Sequence, residues 1–377
     1  MRSGKQITQP TGYKAFIPNP LPPNPPIQIE GEIQHLLTNA NIAIGKMDTM
    51  GYLAPNLEHI IAMYVRKEAL LSSQIEGTQA SLEDIFEYEN QIPVKNINDV
   101  KEVVNYIKAL NHGMKRLTEF PMSIRLIKEI HEILLEDTRG KEKTPGEFRK
   151  SQNWIGFPGS TLATASFVPP PPKEAMDGMG ELELFLHKDS ELPLLINCAL
   201  LHYQFETIHP FLDGNGRLGR LLITFYLYWK GALQYPLLYL SYYLKIHRQE
   251  YYDRLNLARE RGDFEQWIVF FLKGIIWTCE SALQTIKNLL QLQEDHKKRL
   301  IAKKLSTPYA IALLDYLFEK PHLNINDVAY HLKISYQGAK ALVDQFVATE
   351  ILKEITGKRR DKRYSYWEYL AFLSEGT

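Results

Sequence analysis

The sequence predicts a mostly α-helical protein that carries one β-hairpin flap and a small C-terminal winged helix-turn-helix domain. Apolar residues recur at helical spacing over most of residues 57–300. Residues 151–168 break that pattern, with aromatic and branched residues flanking a Pro-Gly-Ser turn. Beyond about residue 305, three short helical patterns precede two strand-like pieces, the element order of a winged helix-turn-helix.

From the N-terminus, seven prolines fall between Pro10 and Pro26, so residues 1–45 are read as an extended arm lying over the surface. Leu57, Ile60, Ile61, Tyr64, Glu68 and Leu71 then follow helical spacing, and this helix stops near Gly77. Ser81-Leu82-Glu83-Asp84 has the spacing of a capping box and starts the next helix. Further helices are expected over about 98–118 and 123–137. In the flap, Trp154, Ile155, Phe157, Phe167 and Val168 surround Pro158-Gly159-Ser160, and four prolines at 169–172 close the segment. It reads as a hairpin or an ordered flap. Helix resumes near 174, runs through 194–208, breaks at 209–216 and resumes at Leu218, where Leu218, Leu221, Leu222, Phe225, Tyr226 and Trp229 make one apolar face. Two helices therefore flank one short polar loop. A long helix over 264–300 runs into the linker, 281–304, between a domain over 46–280 and the module over 305–377. In that module, 311–318, 325–332 and 335–348 read as helices, and strands surround the basic run 358–363.

Charge excludes little but weakens some classes. Lys+Arg and Asp+Glu are equal at 44 each, so nothing global points to nucleic acid or an anionic membrane as the main partner. Cys198 and Cys279 sit in apolar stretches, which fits buried thiols in a reducing compartment and excludes a Cys/His zinc site. Residues 1–9 are polar, and no apolar run approaches the roughly 18 residues that span a bilayer. These features predict a cytoplasmic protein without a membrane partner.

The chemistry is concentrated in residues 209–220, His-Pro-Phe-Leu-Asp-Gly-Asn-Gly-Arg-Leu-Gly-Arg. Gly214-Asn215-Gly216 lets backbone approach a ligand just before a helix N-terminus, where free N–H groups and the dipole favour an anion such as phosphate. Arg217 and Arg220, three apart, share a face and can both reach one polyphosphate. They oppose the helix dipole, which favours a bound anion over a bare stability role. Asp213 offers a hard oxygen ligand suited to Mg2+ beside phosphates. His209, with an ordinary pKa of about 6.5, can accept a proton from an attacking hydroxyl. Taken singly these signals are weak, since a His before Pro is usually a turn or capping residue. Phe211 reads as a core anchor for the loop.

Taken together, residues 209–220 match the motif of the Fic family, His-Pro-Phe-x-Asp/Glu-Gly-Asn-Gly-Arg-x-x-Arg, at every specified position. A chance match at a given site is on the order of one in 10^11 at average residue frequencies. The resemblance extends over roughly residues 50–280, and the proline-rich arm and C-terminal module are similar to those of larger bacterial members. It implies a Fic-type helical bundle and a protein adenylyltransferase that moves AMP from ATP to a Ser, Thr or Tyr hydroxyl of a target protein or of itself. His209 would be the general base and Asp213 the Mg2+ ligand. Gly214, Asn215, Gly216, Arg217, Leu218, Gly219 and Arg220 would bind ATP, with Tyr251 or Tyr252 as the aromatic residue beside adenine. The flap, residues 152–167, would hold the target by strand addition. On sequence alone it reads equally well as an edge hairpin covering the core.

Ser72-Ser73-Gln74-Ile75-Glu76-Gly77 fits the family's inhibitory pattern, Ser/Thr-x-x-x-Glu-Gly/Asn. A pattern this loose occurs by chance in roughly a third of chains of this size, so its weight comes from the Fic motif downstream. The expectation is that Glu76 pairs with Arg220 through both forks and misaligns ATP. Glu76 could also serve a reverse reaction, removal of AMP from the target. A second reading makes the chain a DNA-binding regulator whose Fic domain senses nucleotide. Residues 301–377 carry 11 Lys+Arg against 9 Asp+Glu, which favours interaction or homodimerisation by this module over DNA contact.

Overall fold

The structure is a computed structural model that describes all residues except 54–56, 158, 358, 375 and 377, with backbone alone for 51–53. Helices dominate, as the spacing predicts. The N-terminus departs from expectation: β1 (Gly4–Thr8) and β2 (Lys14–Pro18) pair antiparallel, Gly4 opposite Pro18, so the first part of the arm is a hairpin. Proline density masked it, yet Pro18 sits at a strand end, where proline is tolerated. Ala15 and Phe16 are buried, and the Phe16 N–H donates to the Val168 carbonyl at 2.9 Å, seating the hairpin on the flap. A helix, α1 (Glu32–Leu53), also begins inside the stretch assigned to the arm. Ile33, Ala40, Ala43, Ile44 and Met47 are its buried face.

Next, α2 (Leu57–Ile75) ends just before Gly77, whose φ of +98° favours glycine. The capping box forms as predicted at α3 (Leu82–Glu89): Ser81 Oγ accepts from the Asp84 N–H, and the Asp84 carboxylate accepts from the Ser81 N–H. The helices α4 (Ile97–Leu117), α5 (Ile124–Leu134) and α6 (Pro172–His187) lie close to their predicted spans. Between α5 and α6, Ile155 and Phe167 exchange two backbone hydrogen bonds, at 2.8 and 3.0 Å. No further ladder forms among the described residues, so this is an ordered flap rather than a full hairpin. Pro158 of the expected turn lies outside the described residues.

At the centre are α7 (Leu194–Ile208) and α8 (Asn215–Trp229). Every residue of α7 from Leu195 onward is buried, which makes it a core helix without a polar face. Then come α9 (Ser241–Ile246), α10 (Arg248–Arg261) and α11 (Phe264–Ala302). The 39 residues of α11 span about 58 Å at 1.5 Å per residue. It packs against α1, α7 and α10, and the Trp267 indole N–H donates to the Ala199 carbonyl of α7 at 2.9 Å.

The C-terminal module runs α12 (Pro308–Glu319), β3 (His322–Asn324), α13 (Ile325–Leu332), α14 (Tyr336–Ala348), β4 (Lys353–Glu354), β5 (Arg363–Ser365) and α15 (Trp367–Leu373). Its antiparallel sheet has the order β3-β5-β4. β4 and β5 flank the basic run, of which Lys358 lies outside the described residues. The module is seated on α11 by Gln293 donating to Asp315 at 2.9 Å and by His296 and the Tyr366 hydroxyl at 3.0 Å. Among the described residues no helix is long and apolar enough to cross a membrane.

Candidate active site

α7 ends where His209 takes the left-handed conformation, φ 50° and ψ 59°, and Pro210 follows. Arg149, nearly fully buried, fixes this turn by donating to the carbonyls of His209 at 2.9 Å, Ile208 at 3.3 Å and Ser151 at 3.4 Å, and to that of Pro170. Asn215 closes the other side, accepting from the Phe211 N–H at 2.9 Å and donating to the Phe211 carbonyl at 2.8 Å. Phe211 is the predicted anchor. It is fully buried and stacked on His131, with ring centroids 3.7 Å apart. His131 Nδ1 accepts from the Gly146 N–H at 2.9 Å, so its Nε2 is the donor to the Asp213 carbonyl, also at 2.9 Å. Packed side chains thus set the loop's shape.

Gly214, at φ +74°, opens α8. The N–H groups of Asn215, Gly216 and Arg217 precede the first helical hydrogen bond, from Leu218 N–H to the Gly214 carbonyl at 3.0 Å, so this end can receive an anion. Arg217 lies 3.5 Å from Glu102 and 3.8 Å from Asp213. Leu218 and Gly219 are buried, the Leu218 N–H being used by the Gly214 carbonyl and the Gly219 carbonyl lying 2.9 Å from His202 Nδ1. Arg220 is buried; its Nε donates to Ser72 Oγ at 2.8 Å and its Nη2 to the Ser72 carbonyl at 2.9 Å. Nη2 also meets Glu76 Oε1 at 2.8 Å. The expected two-point fork between Glu76 and Arg220 is therefore a single contact, made through Nη2, which Glu76 shares with the Ser72 carbonyl. Burial alone would raise the Glu76 carboxyl, but Arg220, helped by Arg217 and His209, holds it below its ordinary range.

The His209 side chain keeps 19% exposure, while its Nδ1 is buried without a hydrogen-bond partner, 3.9 Å from Glu206 Oε2. Burial first, then Arg259 and Arg149, pushes its pKa down to about 3. It is therefore neutral at neutral pH and able to take a proton. The Asp213 side chain is 45% exposed. Among the described residues no three His, Cys, Asp or Glu side chains gather to hold a metal. A single accessible carboxylate at the anion-facing end still fits Mg2+, which is usually held by one or two carboxylates plus ligand oxygens.

One predicted site residue does not fit. Tyr251 is 1% exposed, with its hydroxyl 2.8 Å from His202 Nε2 and its ring against Trp267, so it belongs to the core and offers no open face to adenine. Its neighbour Tyr252 is only partly buried. The flap is joined to the turn by Asn153, whose amide donates to the carbonyls of Phe211 at 2.9 Å and His209 at 3.3 Å. Arg149, His131, Glu102 and Glu206 complete the site and were not singled out from the sequence. The available signal for Glu206 was a carboxylate inside an otherwise apolar helix.

A neutral imidazole at the end of α7, one short loop before a helix N-terminus that carries two arginines, is an arrangement able to receive an anion beside a proton acceptor. Residues 34–115 match the family described as Fic/DOC family N-terminal and residues 121–227 match Fic/DOC family, together half of the chain. The chain belongs to the Fic/DOC family. It is 29% identical over 258 residues to the protein adenylyltransferase Fic of Drosophila willistoni, covering 65% of this chain and 48% of that one. To that of Drosophila melanogaster it is 30% identical over 239 residues, covering 60% and 45%. The chain thus spans about half the length of these relatives. Its fold is similar to a Fic family protein from Desulfovibrio desulfuricans, with TM-score 0.60 and 22% identity over 90% of this chain and 97% of that one. It is also similar to a Fic domain containing signaling protein from Bacteroides thetaiotaomicron, with TM-score 0.54 and 18% identity over 68% and 97%.

Proposed function

We propose that this chain transfers AMP from ATP to a Ser, Thr or Tyr hydroxyl of a protein target or of itself, releasing pyrophosphate, and that Glu76 restrains it. The observation that carries the reading is the juxtaposition of neutral His209 with the α8 N-terminus, whose Arg220 is engaged by Glu76 at 2.8 Å. His209 accepts the hydroxyl proton as the oxygen forms a bond to the α phosphorus and the bond from that phosphorus to the β-phosphate oxygen breaks. The backbone N–H groups at Asn215 to Arg217, with Arg217 and Arg220, hold the phosphates in line. Mg2+, held by Asp213 and phosphate oxygens, would offset charge on the phosphate chain. Adenine is assigned to the partly open Tyr252 in place of Tyr251. Glu76 occupies the Arg220 donor that would orient the γ-phosphate, and a displacement of about 1 Å is enough to cost on the order of 100-fold in rate. The same carboxylate is available to assist hydrolysis of AMP from the target.

The test is to incubate wild type, Glu76→Gly and His209→Ala with Mg2+ and ATP labelled at the α phosphorus, and to follow label on the protein itself and in a lysate. Strong labelling by Glu76→Gly, weak labelling by wild type and none by His209→Ala is expected. Labelling by His209→Ala at the wild-type rate would remove His209 from the mechanism.

For residues 305–377 the reading is a winged helix-turn-helix that contacts a protein partner or a second copy. Its support is the order α12-β3-α13-α14-β4-β5, with Arg359, Arg360 and Lys362 between the last two strands, and a charge excess too small for a duplex-binding surface. Salt-sensitive binding of duplex DNA by the full chain would reverse this assignment.

A further inference from the structure

Glu206 stands three residues before His209, in the last turn of α7. A carboxylate there faces the negative end of the helix dipole and is destabilising unless something uses it. Its side chain is 8% exposed, and Oε1 is buried without a hydrogen-bond partner. A buried carboxylate in that state is costly. Arg220 and Arg259 offset the burial only in part, and neither gives the carboxylate a hydrogen bond. Arg259 donates to the Glu206 backbone carbonyl at 3.2 Å, to Thr207 Oγ1 at 3.1 Å and to Asn256 at 3.0 Å, and not to the carboxylate. Arg220 donates from Nε and Nη2 to Ser72 and Glu76. Arg149 spends its donors on backbone carbonyls.

A second buried polar atom in this neighbourhood also lacks a partner, and it is His209 Nδ1. It lies 3.9 Å from Glu206 Oε2, about 1 Å beyond a hydrogen bond. The two groups answer each other's deficit. Room for the carboxylate is provided on the other side by Gly219, where any Cβ would collide with Glu206 Oε1. Because Nδ1 is the buried edge of the ring, the 19% exposure of the His209 side chain belongs to its other edge, which faces the site.

We infer that Glu206 is a positioning residue for His209: its carboxylate accepts the Nδ1–H, so that the unprotonated Nε2 is presented to the acceptor hydroxyl. The 3.9 Å separation closes when the site is loaded, as catalytic hydrogen bonds commonly tighten on ligand binding. The carboxylate also stabilises the imidazolium that forms when Nε2 takes the proton. The charged groups that act on the ring are then Glu206, Glu76, Arg259 and Arg149. This inference rests on the adenylyltransferase reading, in which His209 is the base.

The experiment uses the full chain in the Glu76→Gly background. Glu206→Leu keeps the volume and removes the acceptor, whereas Glu206→Gln keeps a neutral acceptor oxygen. The expected kcat for AMP transfer falls on the order of 100-fold for Glu206→Leu, and less for Glu206→Gln. KM for ATP stays unchanged in both, and the acid limb of the pH–rate profile moves to lower pH. Histidine NMR, with His209→Ala to assign the ring, is expected to show the Nδ1–H tautomer of His209 losing population in Glu206→Leu. Unchanged kcat, an unchanged pH profile or an unchanged tautomer in Glu206→Leu would overturn the inference. If the Glu76→Gly parent itself transfers no AMP, the adenylyltransferase reading falls instead, and the tautomer measurement still decides the contact.

Discussion

Two glutamates approach the start of α8, one at Gly216 and one at Gly219, and their fates differ. Glu76 comes from the end of α2, finds Arg220 at 2.8 Å and keeps 39% of its side chain in solvent. Glu206 comes from the end of α7, is enclosed, and finds no hydrogen-bond partner for Oε1. The consequence is visible in their acidities: Arg220 outweighs burial and holds Glu76 below the ordinary range, whereas burial carries Glu206 up to about 7. A glutamate with an exposed flank and one contact can leave, as a brake must. One packed under the His209 turn cannot leave and can only orient what lies beside it.

The largest test of this contrast is Glu76→Gly, which should raise AMP transfer on the order of 100-fold, measured as initial rates with labelled ATP. Equal rates in wild type and variant would show that the contact with Arg220 is not a brake. The second test places the same methyl group against each carboxylate. A Cβ at Gly219 meets Glu206, and a Cβ at Gly216 meets Glu76. Gly219→Ala should cost about 1–3 kcal/mol of stability, as overpacking usually does. Gly216→Ala should cost less, because Glu76 can swing into solvent. Denaturant unfolding of both variants, and of Gly219→Ala combined with Glu206→Ala, checks this; the double variant should recover part of the loss.

A further test is pH dependence, which reads the same burial through protons. His131 and His322, at about 4, and His202 and His209, at about 3, stay neutral in the fold well below the ordinary 6.5. As pH falls through 6.5 the unfolded chain therefore gains protons that the native one does not, and stability declines. Glu68 and Glu206, at about 7, act oppositely, since the native chain takes up their protons before the unfolded chain does near 4.5. Four histidines against two glutamates leave the unfolded state ahead. Stability should therefore fall between pH 6.5 and 4.5, by about 1–3 kcal/mol per pH unit. Thermal melts at pH 7.5, 6 and 5 read it, and a Tm that rises toward pH 5 would contradict the burial of these rings.

The loop 209–220 was legible because its chemistry is local: a helix end, two glycines, two arginines and a carboxylate within twelve residues. What completes the site comes from far along the chain and leaves no local trace. Arg149 reaches the turn from 60 residues away and His131 from 82. Glu76 and Arg220, 144 residues apart, were paired only through the family pattern, and that Ser72 shares the same guanidinium is something no spacing reveals. Tyr251 and Tyr252 show the limit of helical reading, since one step along α10 separates a core ring from a partly open one. At the N-terminus, prolines between Pro10 and Pro26 concealed a hairpin whose strands contain only one proline, at the last position.

Arg149 donates to Ser151 and Pro170 at the foot of the flap and to Ile208 and His209 at the turn. One guanidinium therefore bolts the surface that would receive an extended target segment to the group that would deprotonate it, and makes the pair a ruler. Neighbouring side chains on the same face of a strand stand about 7 Å apart, while proton transfer needs contact within about 3 Å. Which hydroxyl of a target is modified would then be decided by counting along its backbone from the flap, with little dependence on the side chains around it.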